Sequence, residues 1–281
     1  MILKTELNSK NRIEAINTLA VPVVQYSYNI LNWNVSDLQR LDRKTRKLLT
    51  SSRMHHPKAD VDRLYLPKSK GGRGMIQLEM SFKTTTIAMT TYLNSTTDWM
   101  LQLVLHHEGT KKLHSITKET ANFKHDFNFQ YENANYNDQP SIKQAKLVKQ
   151  AAKKCGIEKL TEKWSQKPLH GKFNLRSQQA DGDQIATHQW LRSSGLKAET
   201  EGFILAAQDQ SLFTRNYQAN IIKNGADPKC RFCDKFTETI DHLISGCPTL
   251  APNEYKNRHD RVCQYLHWHI CKAYNIETSE N

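Results

Sequence analysis

The sequence predicts a mostly α protein: a helical bundle, a helical middle region, then one small cysteine–histidine knuckle near residue 230. Three observations carry this. Apolar residues recur at three- and four-residue spacing over several stretches, the signature of helices with one buried face. Alternation of period two does not persist long enough anywhere to build a sheet, and no internal repeat is present. Three of the six cysteines lie with a histidine between positions 230 and 247, a crowding that suits metal ligation better than a disulfide framework.

Composition bounds the function. The 281 residues carry 40 Lys plus Arg against 28 Asp plus Glu, a net charge of +12, with 38% hydrophobic residues and a mean hydropathy of −0.70. That length allows two or three units. Residues 1–80 and 81–180 each carry +7, and residues 181–281 carry −2. An excess confined to the first 180 residues points to a polyanionic partner, most simply RNA or DNA. The strongest apolar runs, LAVPVV at 19–24 and MLQLVL at 100–105, fall far short of the ~20 residues a membrane helix needs. MILKTELNSK lacks the apolar core of a secretory signal. A nuclear or cytoplasmic protein is expected, neither secreted nor membrane-bound.

Along the chain, Ile13, Ile16, Ala20, Val23, Val24, Ser27 and Ile30 fit a helical face that Pro22 should kink or break. Ser36 and Gln39 have the spacing of a capping box. The helix that follows carries Leu38, Leu41, Thr45, Leu48 and Leu49 on one face. Arg40, Arg43, Lys44, Arg46 and Lys47 fill the remaining arc, an arrangement suited to lying along a phosphate backbone. At 70–74, Lys70 and Arg73 are threaded among Gly71, Gly72 and Gly74; glycines allow close approach to a phosphate, and the cations supply charge. The stretch has no Gly-Lys-Ser/Thr, so nucleotide hydrolysis is not indicated.

Residues 76–108 read as helical, with Phe82, Ile87, Met89, Tyr92, Leu93, Trp99, Leu103 and Val104 as core. The Asn-, Asp- and aromatic-rich stretch 121–140 has no clear period and reads as a linker or domain boundary. A long helix over 141–165 presents Lys143, Lys146, Lys149, Lys153 and Lys154 at helical spacing. A loop is expected between Gly171 and Gly182, then helices at 184–193 and 198–222. The second of these should bury Phe203, Ile204, Ala207, Leu212, Tyr217 and Ile221.

The most specific signal is Cys230, Cys233, His242 and Cys247 at C-x2-C-x8-H-x4-C. A tight C-x2-C turn supplies two thiolates, and a later His and Cys complete a zinc tetrahedron. Four protein ligands leave no place for water, so the expected role of the zinc is structural. Downstream, His259, Cys263, His267 and Cys271 recur every fourth residue. Four ligands strung along one helix cannot surround a single ion.

Taken together, AINTLAVPVVQYSYNILNW (15–33), LDRKTRKLL (41–49), RMHHPKADVDRLYLP with KGGRGM (53–75), the Cys/His site and RHDRVCQYLHWHI (258–270) resemble one family. It is the polyproteins of non-LTR retrotransposons that combine a reverse transcriptase with a C-terminal restriction-enzyme-like endonuclease; the best-known branch inserts into ribosomal RNA genes. The resemblance implies a polymerase thumb-like region over 1–78, a helical linker over 79–225, a zinc knuckle over 226–252 and the start of an endonuclease-like region over 253–281. Arg258, His259 and Asp260 match the Arg-His-Asp element at that start. The eight-residue gap between Cys233 and His242 is longer than in retroviral knuckles, so their single-strand specificity is not carried over.

The family's palm needs an Asp-Asp turn and its endonuclease a Pro-Asp, and neither dipeptide occurs. The chain thus reads as a nucleic-acid-binding internal part of such a polyprotein, without catalysis of its own. Its parent would be an RNA-directed DNA polymerase with endonuclease, acting by target-primed reverse transcription. Arg40, Arg43, Lys44, Arg46, Lys47, Lys70, Arg73 and Arg231 are the expected phosphate contacts. The alternative reading is a zinc-stabilised helical protein-interaction module or an inactive relic.

Overall fold

The computed structural model describes residues 2–130, 140–179 and 182–277. They are mostly helical, and the chain forms two compact units, Met1–Asp209 and Gln210–Asn281. Among the described residues the one β-type pairing is an isolated antiparallel bridge, Lys229 with Thr237.

The first unit opens with α1 (Ser9–Ala15), capped by the Asn8 side chain, which accepts from the Asn11 N–H. A wide π turn over Ile16–Ala20 then leads into α2 (Val21–Gln25). The break expected at Pro22 is this restart: proline sits in the first turn of α2, where its missing N–H goes unused. Helix α3 (Val35–Ser51) starts from Asn34 without a side-chain cap. The expected Ser36–Gln39 capping box does not form, because the helix begins earlier, with Asn34 as N-cap and Ser36 already inside it; the Gln39 amide donates to Glu79.

Two short segments follow, α4 (Val61–Tyr65) and a 3-10 turn at Lys68–Lys70. Then come α5 (Leu78–Ser95), α6 (Trp99–Thr110), α7 (Ile116–Asp126) and the long α8 (Ser141–Ser165). Helices α9 (Lys172–Ser177), α10 (Gln184–Ser193) and α11 (Ala198–Gln208) close the unit. The core runs from Ile13, Val21 and Tyr28 through Leu38, Leu49 and Leu64 to Phe82, Phe123, Val148 and Ala152. Phe82 makes edge-on ring contacts with Tyr28 and Phe123 at 5.3 and 5.8 Å. This core draws on both sides of position 78, so the break expected at 78/79 does not separate compact units.

Other expectations are also corrected. Part of the presumed linker is α7, which buries Phe123; residues 131–139 of that stretch lie outside the described residues. A helix, α9, occupies part of the loop expected at 171–182. Trp99, Leu103 and Val104 are exposed on α6 and do not contribute to the core, Trp99 at 69%. The helix expected over 198–222 ends at Gln208; Tyr217 beyond it is buried as expected, but within the helix the buried face is the opposite one: Ala198, Glu201, Gly202, Leu205 and Ala206 point inward while Phe203 is 59% exposed.

The glycine-rich segment is likewise no open phosphate loop. Its backbone folds back on the exit of α4, with Arg73, Gly74 and Met75 N–H groups donating to Arg63, Leu66 and Leu64 carbonyls. A Cβ at Gly72 would lie 2.1 Å from the Leu66 carbonyl oxygen, so only glycine fits there. Arg63, on α4 and donating to the Gly71 carbonyl, is buried between the Trp164 and Phe173 rings, its guanidinium 5.0 and 5.2 Å from their centroids. It pairs with Asp209 at 2.8 Å.

The second unit begins with α12 (Arg215–Tyr217), capped by Thr214 and continued by a π turn at Gln218–Ile222. The knuckle follows. Two further π turns, His242–Gly246 and Ala251–Tyr255, lead into α13 (Lys256–Ala273). No helix among the described residues is long and apolar enough to cross a membrane.

Candidate metal centre and nucleic-acid interface

The Cys230–Cys233 turn closes on itself. The Cys230 N–H donates to the Phe236 carbonyl, the Asp234 N–H donates back to the Cys230 carbonyl, and Asp234 adopts a left-handed φ of 55°. This reversal turns both sulfurs inward, while the π turn at His242–Gly246 delivers His242 and Cys247 from the other side. Cys230 and Cys247 Sγ atoms are 4.0 Å apart, Cys233 Sγ and His242 Nε2 are 3.4 Å apart, and all four donor atoms lie within 4.8 Å of one another. A tetrahedral zinc with bonds of ~2.3 Å to sulfur and ~2.0 Å to nitrogen places its donors roughly 3.5–3.8 Å apart. The cluster can therefore hold a metal ion, and its donor set and size are compatible with zinc.

Electrostatics favour a thiolate. Burial would raise the Cys233 thiol, but N–H groups of Lys235 and Phe236, with His242 and Cys230, outweigh it and bring the pKa to about 6. Cys230 is pushed up by its burial. A bound cation would reverse that by pairing with the thiolate.

Two residues that spacing did not single out hold the knuckle together. Glu238, wholly buried, accepts from the backbone N–H groups of Arg215 and Arg231 and from the Arg231 guanidinium at 2.9 and 2.6 Å. Its burial would raise the carboxyl; the Arg231 bonds, with the Arg215 N–H, bring it down to about 2. The Tyr255 hydroxyl accepts from the Cys247 N–H at 2.9 Å and lies 3.0 Å from the His242 and Leu243 carbonyls. An acid between the second and third ligands was the available signal for Glu238; nothing local signals Tyr255. On α13, His259 lies 3.5 Å from Cys263, and His267 lies 3.7 Å from Cys271, as two separate pairs one helical turn apart.

The expected phosphate contacts divide. Leu38, Asp42 and Leu49 anchor α3 in the core, and Arg40, Arg43, Lys44 and Lys47 project outward, all exposed. Arg40 pairs with Asp37 at 3.0 Å. Arg43, Lys44 and Lys47 have no carboxylate within 4.0 Å among the described residues. Arg46 is half-buried and donates to the Tyr65 hydroxyl at 2.8 Å. Lys70 is exposed on its 3-10 turn. Arg73 is a correction: 1% exposed, it pairs with Glu201 at 2.8 Å and donates to Ser9 Oγ and the Met54 carbonyl, so it cannot reach a ligand phosphate. Arg231 spends its guanidinium on Glu238, which makes it first a brace of the knuckle.

No protein-family model and no curated protein matches this sequence.

Proposed function

We propose that this chain is a nucleic-acid-binding, zinc-containing part of a non-LTR retrotransposon reverse transcriptase polyprotein, with a structural zinc at Cys230, Cys233, His242 and Cys247. The observation that carries the binding function is α3: one face is built into the core, and the other displays Arg43, Lys44 and Lys47 with no counter-charge among the described residues. Such a rigid row of cations neutralises phosphates and releases counterions irrespective of sequence. The ordered segments that resemble the family, and a donor cluster of zinc-site size, support the family reading. In a parent of this kind the chain would hold nucleic acid during target-primed reverse transcription, while the polymerase and nuclease chemistry would reside in other regions.

The test is fluorescence anisotropy with labelled DNA duplex and RNA–DNA hybrid across a salt series. The triple variant Arg43→Gln, Lys44→Gln, Lys47→Gln should flatten the dependence of log K on log salt by roughly 2–3, at ~0.9 per lost contact. An unchanged slope removes α3 from the interface. A second reading, a zinc-stabilised protein-interaction module, draws on α13, where Val262, Leu266, Trp268 and Ile270 are exposed. It requires zinc binding with negligible affinity for either nucleic acid.

A further inference from the structure

We propose that the seam between α5 and α8 is a second, separate nucleic-acid site, which takes a single strand with its phosphates on Lys146, Lys149 and Lys153 and its bases in the two hollows beside them. This deepens the nucleic-acid reading above but rests on residues outside α3.

The two hollows adjoin along the seam and share Lys149 as a common wall. One, of about 290 Å³, is lined by Tyr65, Met75, Met80 and Ile157 with Lys149 and Lys153. The other, of about 380 Å³, is lined by Met89, Tyr92, Ile142 and Ala145 with Lys146 and Lys149. Each therefore has an apolar floor, one tyrosine and two lysines. No Asp or Glu lines either hollow among the described residues. None of the three lysines has a carboxylate within 4.0 Å there, whereas Lys159 and Lys163 further along α8 bond to the Asp126 carbonyl and the Asp62 carboxylate.

Burial and the neighbouring Lys153 push Lys149 below its ordinary pKa, the situation an anion between them would relieve. Positions 146, 149 and 153 fall on one face of a helix and span about 10 Å, the rise of roughly three stacked nucleotides. A duplex hides its base faces, whereas a single strand presents alternating phosphates and flat apolar rings, the pattern found here. An acidic peptide would satisfy the lysines but has no groups of that shape for both hollows.

The experiment uses the full zinc-loaded chain and a fluorescein-labelled oligothymidylate or oligouridylate of about twelve nucleotides, with DNA duplex as comparison. The variant Lys146→Gln, Lys149→Gln, Lys153→Gln should flatten the salt dependence of single-strand binding by about 2, at ~0.7 per contact, and leave duplex binding unchanged. The α3 variant Arg43→Gln, Lys44→Gln, Lys47→Gln should retain strand binding, and circular dichroism should report intact helices for both. Unchanged strand affinity in the Lys146→Gln, Lys149→Gln, Lys153→Gln variant, or equal losses for strand and duplex in it, overturns the proposal. So does displacement of the strand probe by polyglutamate alone and not by unlabelled strand, which would assign the seam to an acidic peptide. Strand binding that depends on these lysines without any duplex binding would uphold this site and refute the role of α3. Duplex binding with an indifferent seam would do the reverse.

Discussion

Arg73 and Glu201 stand 128 residues apart in sequence, and their charged groups meet at 2.8 Å where neither is exposed to solvent. The pair is closed by Ser9, whose hydroxyl donates to Glu201 at 2.5 Å and accepts from Arg73 at 2.6 Å. It joins α1, the glycine-rich segment and α11 at one point. Removing one partner strands a buried charge, which costs roughly 3–5 kcal/mol. Arg73→Met and Glu201→Leu should each lower the unfolding free energy measured in urea by that margin, and the double variant should lose far less than the sum. Additive losses would mean that the two residues do not interact as a pair.

That pair also allows the α11 backbone to approach Met54. A Cβ on Gly202 would fall 2.7 Å from the Met54 carbonyl oxygen, and backbone cannot swing aside as a side chain can. Gly202→Ala should therefore destabilise the first unit by about 1–3 kcal/mol despite alanine's better helix propensity. The check is a denaturant melt followed by helical circular dichroism. Equal or increased stability would show that α11 can move outward without penalty.

These two cases show where the sequence was legible. The metal cluster lies within eighteen residues of chain, and ligand chemistry requires specific side chains at specific spacing, so Cys230, Cys233, His242 and Cys247 could be named directly. Helix α3 follows from apolar periodicity because Leu38 and Leu49 pack one stripe on the core, and α8 from a lysine spacing that leaves Val148 and Ala152 to pack there. The α11 face was assigned wrongly because periodicity ranks residues by size and polarity, which favours Phe203 over Glu201. Only a partner far away in sequence makes Glu201 the inward residue. Arg73 failed for the same reason: arginine among glycines looks exposed until the distant carboxylate is known.

In the second unit, metal removal should abolish the local fold. Among the described residues only a few apolar side chains, Ile240 one of them, are buried around the cluster, so a bound ion would supply most of the ordering energy, as it does in small zinc domains. Chelation should remove one zinc per chain and abolish amide-exchange protection over 230–247. Cobalt substitution should give the charge-transfer absorption of thiolate ligation, weakened by Cys233→Ser. Protection that survives complete metal removal would make the cluster an ordinary set of buried thiols.

Glu238 touches no donor atom, yet it fixes the turn that carries two of them by accepting the Arg231 N–H. Groups that orient metal ligands typically contribute 10–100-fold to metal affinity. Glu238→Gln keeps the shape and loses the charge, so zinc affinity should fall within that range while the stoichiometry stays at one. Competition against a chromophoric chelator measures this. An unchanged affinity would show that the turn is held by its own backbone bonds and that Arg231 is free for other partners.

His55 gives the first unit a dependence on acid. Burial, with Arg73 and His56 nearby, lowers its pKa from 6.5 to about 4. The folded state therefore favours the neutral ring, and the unfolded chain takes up a proton more readily. That stabilisation is complete above pH 6.5 and disappears as pH falls through 4; in full it amounts to about 3 kcal/mol. Asp42 works in the opposite direction. Burial raises its pKa from 3.8 to about 6 despite N–H bonds from Leu78 and Glu79, so its contribution is complete below 3.8 and disappears as pH rises through 6. Comparing wild type with His55→Gln cancels the Asp42 effect, because both proteins carry it. Between pH 7 and pH 5 the wild type should lose about 2 kcal/mol more than the variant, measured by urea melts at each pH. Parallel pH profiles would mean that water reaches the ring of His55 and that its burial carries no electrostatic penalty.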